Sequence, residues 1–393
     1  MNSSILHKEV QEFIDNNLNA DITKLLLKGI QFEGVSTKAL VEQIEAKKRS
    51  QKKLPTWFSS KGIYYPNKLN IEQTSSEITA KYKSSLVSGK SIVDITGGFG
   101  IDCFYFSKHI ESVTHCEINA DLSEIVTHNY NALGVSNVET ISSDGISYLK
   151  ETDKKFDWIY IDPSRRHDVK GKVFFLSDCL PNVPEHLDLL FERTDNILVK
   201  TSPLLDISSG IKELKQVKAI HVVAVNNEVK ELLWVLEKDV SEAIMIKTIN
   251  IKKEAVSEFE FLYDAEKDVS VNYDLPQQYL YEPNAAILKA GAFKSIAKAF
   301  DLNKLHAHTH LYSSNMLISF PGRRFKIDKV LPFNKKRLKY ERISMVNIAT
   351  RNFPESAEKI KKRFHLKDGG RTFLFFTTNV RGEKIILVCS KVE

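Results

Sequence analysis

The residues best equipped for chemistry lie in Val93-Asp94-Ile95-Thr96-Gly97-Gly98-Phe99-Gly100-Ile101-Asp102, where a β-branched run meets a cluster of glycines. Glycines at such a turn let the backbone bend sharply and let a ligand reach main-chain atoms with no Cβ in the way. The spacing is not G-x-G-x-x-G, the arrangement that rests a pyrophosphate on a helix amino terminus. Asp94 precedes the glycines, where its charge repels a pyrophosphate and suits a cationic ligand carrying an amino group. Glu117, followed by Ile118, closes the next run and can accept both hydroxyls of a ribose. The third run ends in Ser142-Ser143-Asp144-Gly145, and Asp144 can accept from the exocyclic amine of an adenine. Three acids at the ends of three consecutive runs mark the edge where open α/β sheets bind ligands. A fourth run delivers Asp162-Pro163-Ser164-Arg165-Arg166. An aspartate stiffened by the following proline can orient a reacting group or take its proton, and the arginine forks suit phosphate or carboxylate.

These residues need strands to carry them. From Ser91 onward, short β-branched runs alternate with helical segments, the pattern of a parallel sheet covered by helices. The expected strands begin at Ser91, Ser112, Val138, Phe156, Asn196 and Ala219, and Lys230 to Glu237 follows so closely that only a hairpin can join it. Upstream, helical spacing over Lys8 to Asn17, Asp21 to Gln31 and Ser36 to Lys47 predicts a small bundle. A charged linker, Lys47 to Pro55, and a loop with Trp57, Phe58, Tyr64 and Tyr65 come next, then a helix over Ile71 to Leu86. Beyond Ser241 strands are expected at Glu242 to Asn250, Phe259 to Tyr263 and Leu311 to Phe320, with a helix at Asn284 to Phe300. A last module has strands at Ile343 to Ala349, Thr372 to Thr377 and Ile385 to Cys389 and a helix near Ser356 to Phe364.

A chain of 393 residues is long enough for two or three domains, and its composition is that of a globular protein. No apolar run is long enough to span a membrane, and the amino terminus has no signal-peptide pattern, so a cytoplasmic protein is expected. Cys103, Cys116, Cys179 and Cys389 form no C-x-x-C pair and read as buried thiols. His306, His308 and His310 would share one face of a strand, but no cysteine or acid completes a metal site and none is expected. The net charge of +6 is uneven: between Pro321 and Arg371 sixteen basic residues face five acids, so this segment, with the basic run 47–53, is expected to meet a polyanion. Arg323-Arg324 and Lys335-Lys336-Arg337 lie near Phe325, Phe333 and Tyr340, a mixture that suits nucleic acid.

On DITGGFGID, EQTSSE and IDPSRR the chain resembles the class I S-adenosylmethionine-dependent methyltransferases, specifically a bacterial group with ferredoxin-like and THUMP-like modules after the catalytic domain. The resemblance runs from about Ile71 to the carboxyl terminus. It implies an α/β, Rossmann-like, seven-stranded sheet within residues 71–241, after an N-terminal helical domain at 1–70 and before small α+β modules: ferredoxin-like at 242–320 and basic, THUMP-like at 321–393. S-adenosyl-L-methionine would be held by Asp94, Thr96, Gly97, Gly98, Phe99, Gly100, Glu117, Ile118, Asp144 and Gly145. Glu72, Gln73, Thr74 and Ser75 would flank its methionine end. Asp162, with Pro163, Ser164 and Arg165, would face the target, and the group's RNA-binding modules imply methylation of a base in tRNA or rRNA.

Two features depart from related enzymes. DPSRR replaces the N/D-P-P-Y/F motif of exocyclic-amine methyltransferases, so the usual stacking ring is missing. No cysteine stands near Asp162 or in Lys200-Thr201-Ser202-Pro203-Leu204 to attack a pyrimidine ring. An RNA-binding or assembly protein with a non-catalytic methyltransferase fold, and a small-molecule or protein methyltransferase, are the alternative readings.

Overall fold

The computed structural model describes residues 1–165, 175–253, 255–334 and 345–392. Arg166, Lys335, Lys336, Arg337, Tyr340 and Ile343, all named above, lie outside them. The strands in chain order are β1 (Ser91–Asp94), β2 (Ser112–Glu117), β3 (Val138–Ser142), β4 (Trp158–Ile161), β5 (Ser164–Arg165), β6 (Cys179–Leu180), β7 (Asn196–Thr201), β8 (Val217–Val225), β9 (Glu228–Glu237), β10 (Met245–Ile251) and β11 (Val256–Leu262). There follow β12 (Tyr279–Pro283), β13 (Asn303–His306), β14 (Thr309–Ser314), β15 (Gly322–Pro332), β16 (Met345–Arg351), β17 (Lys367–Thr378) and β18 (Lys384–Val392). Two compact units emerge: Met1–Lys218 with Leu233–Ser241, and Ala219–Leu232 with Glu242–Glu393.

In the first unit β3, β2, β1, β4 and β7 lie side by side in that order, and each printed pairing is parallel. Short apolar strands such as β4, buried along its whole length, suit a sheet covered on both faces. The crossovers run through helices Ile101–Phe106, Ala120–Ala132, Gly145–Glu151 and Val183–Arg193. Asn119 and Asp144 cap two of these helices with their side chains, so the chain turns from strand to helix where the candidate site residues stand.

Asn226 and Asn227 take φ of 51° and 65°, the left-handed pair that reverses a chain in two residues, and so join β8 to β9. The expected count of seven strands is corrected, because the sheet has nine, in the order β11-β10-β8-β9-β7-β4-β1-β2-β3. The two extra strands lie in the segment expected to open the following module. β10 instead pairs in parallel with β8, buries Ile246, Thr248, Ile249 and Asn250, and carries β11 as an antiparallel edge.

The amino-terminal helices Lys8–Asn16, Ile22–Lys28 and Thr37–Lys53 bury Ile5, Val10, Ile14, Leu40, Val41 and Ile44 against one another. The linker expected at Lys47 to Pro55 is corrected too, since helix Thr37–Lys53 runs through most of it. Its buried face continues through Ala46, Lys47, Ser50 and Leu54, and this tertiary contact outweighs the repulsion within the basic run. Trp57 and Tyr65 are buried as well, Trp57 packing on Phe104 with ring centroids 4.7 Å apart, so neither ring is available to a base.

The second unit carries a seven-stranded sheet in the order β13-β14-β12-β15-β18-β17-β16. Leu280, Leu305, Leu311, Phe325, Phe375 and Leu387 form one part of its core, and Val346, Ile360, Phe364, Leu374 and Ile386 another. The helix expected from Asn284 to Phe300 is two helices, Ala285–Ala290 and Ser295–Ala299, separated where Gly291 takes φ of 77°. Among the described residues no helix is long and apolar enough to cross a membrane.

Candidate active site

The glycine turn leaves β1 and enters helix Ile101–Phe106, and its glycines serve different ends. A Cβ on Gly97 would collide with the His115 ring, and one on Gly100 with the Tyr130 hydroxyl, which donates to the Gly100 carbonyl at 2.7 Å. These two glycines face protein. Gly98, at φ +54°, would bring a Cβ near only the Thr96 carbonyl oxygen, at 3.8 Å, so its outer side is open to an approaching ligand. Phe99 turns its ring inward and is buried with Trp57, leaving only its main chain to the turn.

Asp94 is 2 % exposed and lies beneath this turn. Its Oδ1 accepts from the Thr96 amide at 2.8 Å and hydroxyl at 3.1 Å, and its Oδ2 from Cys103 Sγ at 3.5 Å. Desolvation pushes its carboxyl up to about 7, the Thr96 amide opposes the rise and nearby Asp102 adds to it. His115, buried on β2, is held by desolvation at about 4 and stays neutral.

Glu117, at the end of β2, accepts from the Gly98 amide through Oε2 and from the Asn119 amide through Oε1, both at 2.8 Å. The carboxylate is thus fixed beside the open face of Gly98 while each oxygen keeps a second lone pair. Ile118 follows with 72 % exposure, an apolar side chain left in solvent at the edge of the sheet. Asp144 caps helix Gly145–Glu151 through Oδ1, bonded to the Ser147 amide at 2.8 Å, and is exposed. Gly145 is needed for close approach, since a Cβ there would strike the Ile95 carbonyl.

Asp162, just past β4, donates its amide to Thr96 Oγ1 at 2.7 Å. Its carboxylate oxygen Oδ2 pairs with Lys200 Nζ of β7 at 2.5 Å. Sequence reasoning passed over Lys200, although Ile161 and Val199 are register partners and the residues that follow them are Asp162 and Lys200. Pro163 is buried, Ser164 is exposed, and Arg165 pairs with Cys179 in the short ribbon of β5 and β6.

Ser75 stands elsewhere: it donates to Asp102 Oδ2 at 2.8 Å and receives Lys83 Nζ at 3.0 Å, while Tyr160 also donates to Asp102 Oδ2. This buried cluster ties helix Glu77–Ser84 to the helix that follows the glycine turn; Lys83 and Tyr160 carry no signal in the sequence, and Asp102 stands in the glycine motif without one for this role.

The basic residues divide sharply. Lys47 is buried against Asp15, Arg49 is exposed but pairs with Glu72, and Lys53 donates to two carbonyls, whereas Lys48 and Lys52 are exposed lysines of 47–53. In the second unit Arg323 and Arg351 both clasp buried Glu282, Lys361 pairs with Asp368 and Arg363 with Glu355. Lys326, Lys329, Lys359, Lys362, Lys367 and Arg371 stand exposed. His306 ends β13 whereas His308 lies in the turn before β14 and His310 stacks on Phe293, so the three do not share one strand face. Among the described residues no group of three or more His, Cys, Asp or Glu could hold a metal.

Comparison with known proteins follows the same division. A ferredoxin-like domain family matches residues 279–321 and a THUMP domain-like family matches residues 322–391. Across the whole length the chain is similar to a protein from Porphyromonas gingivalis W83 whose crystal structure bears the name "putative methyltransferase". Identity is 33%, the match covers 99% of this chain and 98% of that one, and the TM-score is 0.90. The chain belongs to this methyltransferase family. The methyltransferase also matches an uncharacterised RNA methyltransferase of Mycoplasma mobile, 27% identical over 176 residues. That match takes in 42% of this chain and 48% of the relative, so the chain spans about half the length of that curated protein.

Proposed function

We propose that this methyltransferase transfers a methyl group from S-adenosylmethionine to a base of RNA, in tRNA or rRNA. The observation that carries the reading is the Glu117 carboxylate locked beside the open face of Gly98, with a buried acid beneath and an exposed apolar residue alongside. This arrangement fits an amino acid joined to a purine riboside. Glu117 would receive the ribose hydroxyls, Ile118 and Asp144 would border the adenine, and the turn from Thr96 to Gly100 would carry the methionine portion. Asp94 would act from below as a negative charge, and Gly145 by letting its helix close on β1. Ser75 would act at one remove, through Asp102. When bound, S-adenosylmethionine supplies a methyl group already activated by the positive sulfur.

The protein's own part is then to position and desolvate the target. Asp162 would accept a hydrogen bond from the target and orient its nucleophile, and Pro163, Ser164 and Arg165 would shape the surface around it. RNA is supported by the THUMP domain-like match and by the exposed cations Lys326, Lys359, Lys362, Lys367 and Arg371. Lys48 and Lys52 could add to the interaction at the amino-terminal helices. We take residues 1–70, 71–241, 242–320 and 321–393 as the functional divisions of the chain.

Two measurements test this. Calorimetry should show binding of S-adenosylmethionine by the full chain, lost in Glu117→Ala. Nucleoside profiles of total RNA from cells with and without the gene should differ by one methylated nucleoside. Identical profiles would remove RNA as the substrate, and absence of binding would remove the enzyme.

A further inference from the structure

The DPSRR segment lacks the aromatic ring that related enzymes place after the proline, and the structure shows what stands around Asp162 instead. β5 and β6 run antiparallel with Ser164 opposite Leu180 and Arg165 opposite Cys179. Cross-strand partners share a face. Exposure follows the alternation: Pro163 and Cys179 are buried, whereas Ser164 is exposed and Leu180 is 55 % exposed. The ribbon therefore presents Ser164, two residues along the chain from Asp162, together with its partner Leu180 to solvent. A single exposed leucine is ordinary. This one is tied by register to the short segment that also carries the candidate acceptor.

Asp162 is constrained on two sides. Its amide is bonded to Thr96 Oγ1, which in turn donates to buried Asp94, and its Oδ2 is held by Lys200. Among the described residues no hydrogen bond to Oδ1 is recorded, and the Asp162 side chain keeps 30 % of its exposure against 16 % for Lys200. A carboxylate with one oxygen clamped and the other open offers a hydrogen-bond acceptor of fixed direction.

Resting on the proposed RNA methylation, we propose that Lys200 and Leu180 complete the target site: Lys200 as the positioning residue that aims Asp162 Oδ1, and Leu180 as the apolar surface on which the base lies. The ligand is a planar nucleobase with an N–H on its edge. The N–H donates to Oδ1, and the ring covers Leu180 in place of the missing aromatic stack. Lys200 also supplies the positive charge that offsets Asp162 so close to the acid beneath the glycine turn.

The test uses the full chain, S-adenosylmethionine labelled in its methyl group, and total RNA from cells lacking the gene. Lys200→Met should lower kcat by about a hundredfold while the affinity for S-adenosylhomocysteine stays within about threefold, and Lys200→Arg, which can still donate, should recover most of the loss. Leu180→Asp should raise KM for RNA about tenfold with kcat little changed, and Leu180→Phe should restore or lower it. Leu180 is exposed, so neither of its variants should change the unfolding midpoint. Wild-type kinetics in all four variants would overturn the inference and leave RNA methylation standing. A Lys200→Met protein that also loses cofactor affinity, unrescued by arginine, would reduce Lys200 to a structural role and overturn that half. No transfer by the wild-type chain to any RNA would overturn both readings.

Discussion

Replacing Asp94 by asparagine should remove a pH-dependent penalty from the folded state, and its size follows from burial. Desolvation raises the carboxyl from 3.8 to about 7 in the folded chain, a preference for the protonated form of about 4 kcal/mol in all. Because the folded value lies above the unfolded one, this stabilisation is complete below about pH 4 and is lost as pH rises through about 7. Between about pH 5 and about pH 8 the loss is about 2–3 kcal/mol. The neutral histidine His115 works in the opposite sense. Its folded value of about 4 lies below the usual 6.5, so its contribution is present above 6.5 and is lost as pH falls. Comparing wild type with Asp94→Asn at each pH cancels the histidine and isolates the aspartate. Urea unfolding followed by tryptophan fluorescence is a suitable assay, because Trp57, Trp158 and Trp234 all lie in the first unit. The asparagine variant should gain on wild type by about 2–3 kcal/mol from the acid to the alkaline end of that window. Parallel stability curves, with the gap constant to within about 0.5 kcal/mol, would refute the assignment of a costly buried charge to Asp94.

Other consequences can be checked in the same way. Gly100→Ala must fit a Cβ against Tyr130 at φ +75°, and should cost about 2–3 kcal/mol by denaturant unfolding and weaken cofactor binding by calorimetry. Glu282→Ala strands Arg323 and Arg351 beside a buried site. Both arginines are partly exposed, so the expected loss is about 1–3 kcal/mol, read from the thermal midpoint. Reversing Lys359 and Lys362 together to glutamate should weaken RNA binding at low salt and lower the slope of log affinity on log salt by about 1–2, measured by filter binding.

Much of the candidate site's placement on the sheet edge was legible because its signals are local. The run from Asp94 to Gly100 declares a turn by glycine alone, and Glu117 and Asp144 each end a β-branched run, so strand order places them on one edge without tertiary knowledge. Lys200 was not legible: its meaning depends on the register of β4 with β7, and a lysine late in a strand otherwise reads as solvated. The surroundings of Ser75 were not legible for a similar reason, since Lys83, Asp102 and Tyr160, which cluster with it, are scattered over the chain and meet only in the packed core. The last turns of helix Thr37–Lys53 hid behind their own charge, because Lys47 counts as polar in any pattern yet finds Asp15 while buried. β12 and β15 escaped notice because Pro283 and the basic run from Arg323 interrupt the apolar alternation on which strand reading depends.

The two amides that grip Glu117 bear on how the pocket selects its ligand. A carboxylate on a free side chain can rotate to follow a ligand, whereas this one is anchored at both oxygens before any ligand arrives. Little motion remains to be frozen on binding, and equally little is available to accommodate a misfit. On the proposed assignment of Glu117 to the ribose, a riboside stripped of one hydroxyl would leave an acceptor that cannot turn toward a substitute. The glycine turn and the acid that it holds would thus set selectivity by rigidity as much as by charge.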